Sequence, residues 1–206
     1  MDGSPEDAWA ADRDLAARIS AGDEAAFAGL IDALHRPLAR VAEAYVGRGA
    51  AAEDVLQETW AAVVDHLPEF QARSALRTWI TRILINHAKT RRERDKRFVP
   101  IDDDTGSPET RFSAGGFFTG KAAFADGPDA ALLRKEASGW LVAALDALPE
   151  VQRAVVTLRD VEEWSSEEVC NALGLSESNQ RVLLHRGRQR LRAALEDRVR
   201  GKGDGR

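Results

Sequence analysis

The side chains of this sequence that could do chemistry are mostly charged, and they fall into three groups. Asp54, Gln57 and Glu58 stand at helical spacing within AEDVLQETWAAVVDH and form an acidic stripe. Lys89, Arg91, Arg92, Arg94, Lys96 and Arg97 crowd the end of the next apolar-periodic stretch. Arg181, His185, Arg186, Arg188, Arg190 and Arg192 repeat that crowding near the C-terminus. A row of carboxylates suits a partner carrying cations, whereas rows of guanidinium groups suit phosphates. This chemistry is recognition without turnover. His35, His66, His87 and His185 show no metal-ligand spacing with one another or with Cys170. Neither a glycine-rich phosphate loop nor a nucleophile elbow occurs. No catalytic residue, metal or cofactor is therefore expected, and Cys170, between Val169 and Asn171, reads as a small packing residue.

The elements that must position these groups are helices. Leu56, Trp60, Val63, Val64 and Leu67 recur at one face of a first helix, with Asp54, Gln57, Glu58 and Asp65 mostly opposite. After a break at Leu67–Ser74, Leu76, Trp79, Ile80, Ile83, Leu84 and Ala88 supply the buried face of a second helix that ends in the first basic cluster. Trp60 and Trp79 lie on these apolar stripes and read as core. An Arg-rich helix end can be merely solvated, but two of them, each closing an amphipathic helix, argue for two phosphate-facing patches.

The whole chain of 206 residues carries a formal net charge of −5, which hides this arrangement. Residues 1–70 are acidic, whereas 71–98 and 181–202 are basic. With 44% apolar but only 6% aromatic residues the composition favours all-helical structure. No apolar run approaches the roughly 20 residues of a membrane span. The acidic start MDGSPEDAWAADRD lacks the pattern of a signal peptide. A single cysteine suits a reducing compartment, and the expectation is a cytoplasmic protein without membrane insertion.

Upstream, the pattern is helical from Asp12 to Val46, with Asp23 and Glu24 as first-turn residues after Gly22. Phe27, Leu30, Ile31 and Leu34 form its apolar face, and Pro37 is expected to kink or divide it. Periodicity is lost between Val99 and Pro128, where Gly, Pro, Ser and the acidic run Asp102–Asp104 read as a linker. Phe112, Phe117, Phe118 and Phe124 are unusual for a spacer and read as patches that dock or order on binding. Helical pattern returns at Asp129, with Leu132, Leu133, Ala137, Trp140, Leu141, Ala144, Leu145 and Leu148 on one face and Pro149 at a helix start. WSSEEVCNALGLSESNQRVLLHRGRQRLRAALE then reads as a helix-turn-helix: Ser165 and Glu168 make a capping box, Gly174 the turn, and Ser176 the cap of the second helix. The organisation is thus two small helical domains, 1–98 and 129–200, joined by 99–128 and followed by a short tail, 201–206.

Two resemblances sharpen this reading. Ala52-Glu53-Asp54-Val55, Gln57-Glu58, Phe70, Ser74, Thr78-Trp79-Ile80, Ile83, Asn86 and the basic cluster resemble region 2 of bacterial sigma factors. Leu148-Pro149, Arg153, Leu158, Trp164-Ser165, Glu168, Leu173-Gly174 and the RGR run resemble region 4. In this order, separated by a linker, they are similar to the extracytoplasmic-function (ECF) group of the sigma-70 family. The resemblance implies that Asp54, Gln57 and Glu58 dock on core RNA polymerase. It implies that Phe70, Arg73, Ser74, Arg77, Asn86, Lys89, Arg91 and Arg92 hold the separated −10 strand of a promoter. Ser178, Asn179, Arg181, His185 and Arg186 would meet the −35 duplex. An anti-sigma factor is a further implied partner. The chain departs from the group's usual pattern at Gln71-Ala72-Arg73, where Gly and an acid are customary, and at Gln180 and Leu183 of the recognition helix.

Two rival classes remain in view. One is a helix-turn-helix regulator acting on DNA without polymerase, which would have no use for the acidic face. The other is a purely protein-binding module, against which the Arg clusters argue. The expected function is an alternative sigma factor, directing promoter-specific initiation through core polymerase and the −10 and −35 elements.

Overall fold

The computed structural model describes residues 5–98 and 139–203, with side chains from 9 to 95 and from 139 to 198. Every regular element among them is helical. The first half comprises α1 (Pro5–Ser20), α2 (Glu24–Val46), α3 (Ala50–His66), a 3₁₀ turn (Leu67–Glu69) and α4 (Leu76–Phe98). The second half comprises α5 (139–146), α6 (Glu150–Val156), a π-turn (Thr157–Val161), α7 (Ser166–Leu173) and α8 (Glu177–Gly203). The linker 99–128, with its four phenylalanines and Asp102–Asp104, lies outside the described residues, as do Leu132, Leu133, Ala137 and the side chains of Lys96 and Arg97.

Local chemistry explains the boundaries. Asp23 caps α2, accepting from the Ala26 N–H at 2.9 Å while Arg18 forks onto its other oxygen at 2.7 and 3.0 Å. Backbone and Arg18 hydrogen bonds hold the Asp23 carboxyl below its ordinary pKa. The start of α4 is capped from a distance: Asp12 of α1 accepts the Leu76 N–H at 2.6 Å. Ser165 and Glu168 form the expected capping box on α7, and Gly174 ends it in the left-handed conformation at φ +67°. Ser176 accepts from the Asn179 N–H at 3.3 Å at the start of α8.

Pro37 does not divide the second helix, which runs unbroken from Glu24 to Val46. The packing of Leu38, Val41, Ala42, Ala44 and Tyr45 downstream outweighs the hydrogen bond that proline removes. In α3 the buried stripe is Ala52, Val55, Leu56, Thr59 and Val63, continued by Leu67 of the 3₁₀ turn, whereas Val64 is 52% exposed and Trp60 only half-buried. Apolar periodicity missed Thr59 because its hydroxyl is satisfied inside the helix, donating to Val55 O at 2.6 Å. Leu76, Ile80, Ile85, Leu84 and Ala88 of α4 are buried together with Thr78 and Thr81, while Trp79 and Ile83 pack at the edge. Leu141, expected on a buried face, is 42% exposed; Ala144 and Leu148 carry the packing there.

One buried apolar cluster runs through both halves; the first half contributes α2, α3 and α4 around Leu38, Val41, Val55, Val63, Ile80 and Leu84. The second gathers α6, the π-turn, α7 and α8 around Val155, Val156, Leu158, Val169, Leu173 and Leu184. Burying each such side chain contributes about 1.5–3 kcal/mol relative to exposure. Where α8 crosses α6, Gly187 is required: a Cβ there would stand 2.6 Å from Val156 Cγ2. The halves also meet each other, α6 against α2 and α7 against α4.

Candidate functional site

The acidic residues of α3 face α4 as well as solvent. Asp54 Oδ2 accepts from Arg91 Nη1 at 3.0 Å, and Glu58 Oε2 lies 3.4 Å from His87 Nδ1. Their spacing of one turn, with Gln57 exposed beside them, keeps one carboxylate edge of each turned outward. The sequence suggests residues too exposed for any structural part; instead both acids bridge α3 to α4. Each side chain is about half exposed, so the bridges are weak and a stronger cationic partner can compete for the carboxylates.

The break between α3 and α4 builds a recess of about 260 Å³, lined by Glu69, Phe70, Gln71, Arg73, Ser74 and Trp79. Phe70 and Trp79 make an aromatic wall, their ring centroids 5.5 Å apart at 58°. The loop is held in an unusual backbone conformation, since the buried Ala72 takes φ +47° without being glycine. Arg73 is exposed and Ser74 half-buried at the rim. Further along α4, Asn86 and Lys89 are exposed on the solvent side.

Three other α4 cations, Arg77, Arg91 and Arg92, are already engaged. Arg77 donates from Nε and Nη2 to Glu168 Oε1 at 2.9 and 2.6 Å, and its guanidinium carbon lies 4.9 Å from the centre of the Trp164 ring. Arg92 pairs with Glu150, and Arg91 with Asp54 and with Asp95 at 3.7 Å. Burial works to raise the Glu168 pKa, but hydrogen bonds from the Ser165 backbone, Arg77 and the Ser165 hydroxyl outweigh it and hold the carboxyl below its ordinary value.

In the second half of the chain, α8 presents Ser178, Asn179, Arg181, His185 and Arg186 on exposed positions. Arg181 leans on Glu177 at 2.9 Å, one turn earlier, and both are largely exposed. Gln180, by contrast, is fully buried and accepts from Ser166 Oγ at 3.0 Å, tying the two helices of the motif together. Leu183 is half-buried and packs on the core, so neither atypical residue faces outward as a cation would. Arg188 forks onto Asp160 at 2.6 and 2.9 Å and Arg190 reaches Gln152 at 3.0 Å, which makes both structural. Arg153 serves the fold as well, donating to the carbonyls of Asp146 at 2.6 Å and Leu148 at 3.2 Å at the end of α5.

Sequence reasoning missed Asp12 and Glu150, and it named Trp164 and Gly187 only within the region 4 resemblance, without the packing parts they play. Only the last left a signal: a glycine inside a long helix costs about 1 kcal/mol against alanine, so its presence argues for close packing. Among the described residues no cluster of His, Cys, Asp or Glu could hold a metal, and no helix is long and apolar enough to cross a membrane.

Comparison with known proteins agrees with this geometry. Residues 30–98 match the family Sigma-70 region 2, and residues 138–191 match Sigma-70, region 4. The chain is 30% identical over 191 residues to the RNA polymerase sigma-H factor of Pseudomonas aeruginosa, covering 92% of this chain and 96% of that one. It is 26% identical over 189 residues to the ECF RNA polymerase sigma-E factor of Escherichia coli K12, again over 92% and 96% of the two chains. Among solved structures, CnrH in complex with the cytosolic domain of CnrY is similar at a TM-score of 0.60 and 25% identity, over 91% of this chain and 98% of that one. The sigma factor RpoE of Bartonella quintana shares the fold at a TM-score of 0.59 and 20% identity, over 82% and 96%.

Proposed function

Because the chain belongs to the ECF group of the sigma-70 family, and so directs promoter-specific initiation by binding core RNA polymerase and promoter DNA, we propose how its residues divide that work. It is not an enzyme; polymerase supplies the catalysis. Asp54, Gln57 and Glu58 of α3 form the polymerase-docking face. Phe70, Arg73 and Ser74 at the recess, with Arg77, Asn86, Lys89, Arg91 and Arg92 along α4, hold the separated −10 strand. Ser178, Asn179, Arg181, His185 and Arg186 of α8 enter the −35 major groove.

The observation that carries this assignment is the recess beside Phe70 and Trp79, with Arg73 exposed at its rim and Asn86 and Lys89 exposed further along α4. An aromatic wall with a polar rim suits an unstacked base, and the cations beyond suit the phosphates on either side. Flipping a base costs a few kcal/mol, which stacking at about 1–3 kcal/mol per base and the phosphate contacts offset. At the −35 end, each good bidentate contact to a base edge discriminates by about 1–3 kcal/mol. Each module is small, and mounting both on polymerase makes the second engagement intramolecular. The domain boundaries 1–98 and 129–200, with 99–128 connecting them, belong to the same proposal.

Two further parts of the proposal concern context. The chain works in the cytoplasm, where polymerase and promoters are, in keeping with the absence of a membrane-spanning helix among the described residues. An anti-sigma factor is a further partner, by analogy with the sigma factor RpoE of Bartonella quintana, solved in complex with the anti-sigma factor NepR. The assignment is tested with reconstituted holoenzyme on a single-stranded −10 oligonucleotide from a promoter it transcribes. Phe70→Ala and Arg73→Ala are expected to lose at least tenfold in affinity, about 1.4 kcal/mol. Unchanged binding by both would overturn the placement of the −10 strand.

A further inference from the structure

The recess between α3 and α4 carries a rim of both charges. Its polar lining is Glu69, Gln71, Arg73 and Ser74, set around the aromatic wall of Phe70 and Trp79. The Glu69 side chain is 78% exposed, with His66 Nδ1 standing 3.6 Å from its Oε2. Gln71 and Arg73 are exposed on either side of the buried Ala72. Among the described residues Arg73 takes part in no ion pair, unlike Arg77, Arg91 and Arg92. Its guanidinium donors are therefore open to a ligand.

The loop that carries these side chains is fixed at both ends. The Phe70 N–H donates to Leu67 O at 3.0 Å, and the Leu76 N–H donates to Asp12 Oδ2 at 2.6 Å. Between them Ala72 keeps φ +47°, a conformation that a non-glycine residue holds only where its surroundings impose it. The rim is thus set before a ligand arrives, which lowers the entropy lost on binding. Its chemistry also selects among ligands. Arg73 attracts a phosphate but Glu69 repels one, whereas a neutral base with donors and acceptors on its edges satisfies both.

We propose that the recess takes guanine as its unstacked −10 base, with Arg73 donating to O6 and N7 and Glu69 accepting from N1–H and the N2 amino group. The inference rests on the placement of the −10 strand at this recess. An unstacked base offers both its Watson–Crick and its Hoogsteen edge. Guanine alone then gives a guanidinium fork two adjacent acceptors and a carboxylate two adjacent donors. Cytosine offers adjacent acceptors but a single amino group, and thymine has one N–H between two separated carbonyls. Adenine sets an amino group beside N7, donor against donor at the fork. Gln71 by itself would suit adenine. Hydrogen bonds to charged groups are about twice as strong as neutral ones, so Glu69 and Arg73 decide the preference.

The test uses reconstituted holoenzyme and fluorescence anisotropy on short single-stranded oligothymidines whose central base is guanine, adenine, cytosine, thymine, hypoxanthine or 7-deazaguanine. A thymidine track lets the strand slide until its best base occupies the recess. The guanine strand is expected to bind about tenfold tighter than all-thymidine, with adenine within about twofold of it. Hypoxanthine lacks the N2 amino group and 7-deazaguanine lacks the N7 acceptor; each should lose about threefold against guanine. Glu69→Gln should erase the gap between guanine and hypoxanthine while keeping that between guanine and 7-deazaguanine. Arg73→Asp should move the preference to cytosine, whose N4 amino group suits a carboxylate. A guanine preference that survives both variants overturns the roles of Glu69 and Arg73, and a wild-type preference for another base overturns the proposal outright. A flat profile in which Phe70→Ala weakens every strand alike removes the guanine assignment but leaves the recess as the strand site. A flat profile with Phe70→Ala and Arg73→Ala both silent removes the strand site as well.

Discussion

Replacing Asp54 by Asn and Glu58 by Gln separates what these acids do for the fold from what they do for polymerase. In the free chain Asp54 meets Arg91 at 3.0 Å, with the two side chains 48% and 31% exposed, and Glu58 lies 3.4 Å from His87 with similar exposure. Pairs this exposed contribute about 0.2–1 kcal/mol, and the second counts as an ion pair only when His87 is protonated. The amides keep hydrogen-bonding capacity, so the double variant should lose about 0.5–1.5 kcal/mol of stability, a few degrees in melting temperature. Docking is a different matter. Hydrogen bonds to a charged group contribute about 1.5–3 kcal/mol each, so losing two charges at the interface should cost about 3–5 kcal/mol, a factor of several hundred or more in Kd. Titrating labelled core polymerase with each protein, beside thermal melts of the free chains, measures both effects. A variant that melts a few degrees lower yet binds core within threefold of wild type would refute the docking role and leave Asp54 and Glu58 as struts between α3 and α4.

Other outcomes follow from the same geometry. Gly187→Ala places a methyl 2.6 Å from Val156 Cγ2; overpacking of about 1–3 kcal/mol should exceed the gain of about 1 kcal/mol in helix propensity, and calorimetry should show a lower melting temperature. Arg181 and Arg186 lie five apart on α8, about 140° around its axis, so one meets base edges and the other phosphate. Arg181→Ala should relax discrimination at one −35 position by about 1–3 kcal/mol at nearly constant salt slope, whereas Arg186→Ala should weaken all sequences alike and lower that slope by about one. Holoenzyme binding to −35 variants at several salt concentrations separates them, and identical profiles would sink the assignment. Glu168 is held below its ordinary pKa in the folded chain. Its contribution is therefore complete above the unfolded value of about 4.3 and is lost as pH falls through the lower folded value. Thermal melts should show stability falling on that acid limb, and Glu168→Gln should flatten the dependence there.

The helices, the turn at Gly174 and the caps at Ser165 and Ser176 were legible because each has a short-range cause in the sequence, whereas Asp23, read as a first-turn residue, is the cap of α2. The exposure of Ser178, Asn179, Arg181, His185 and Arg186 was legible for the same reason, since polar residues at helical spacing show which side faces out. What the sequence hides is long-range. Nothing near Leu76 announces that Asp12 caps it, and nothing near Arg77 or Arg92 announces Glu168 or Glu150, which lie far along the chain. Thr59 and Thr81 were overlooked because a buried hydroxyl satisfied by its own helix behaves as an apolar residue, which a hydropathy pattern cannot register. Pro37 shows the converse: a strong local signal for a break was overruled by the packing on either side.

The central claim is that this chain gives polymerase its address, and run-off transcription of a genomic fragment library tests it most directly. Core polymerase alone, the chain alone and the two together are compared on the same templates. The account predicts discrete promoter-specific transcripts only from the combination, lost when Asp54 and Glu58 are neutralised. Specific shifts of duplex DNA by the chain alone, with no transcripts when core polymerase is added, would contradict it.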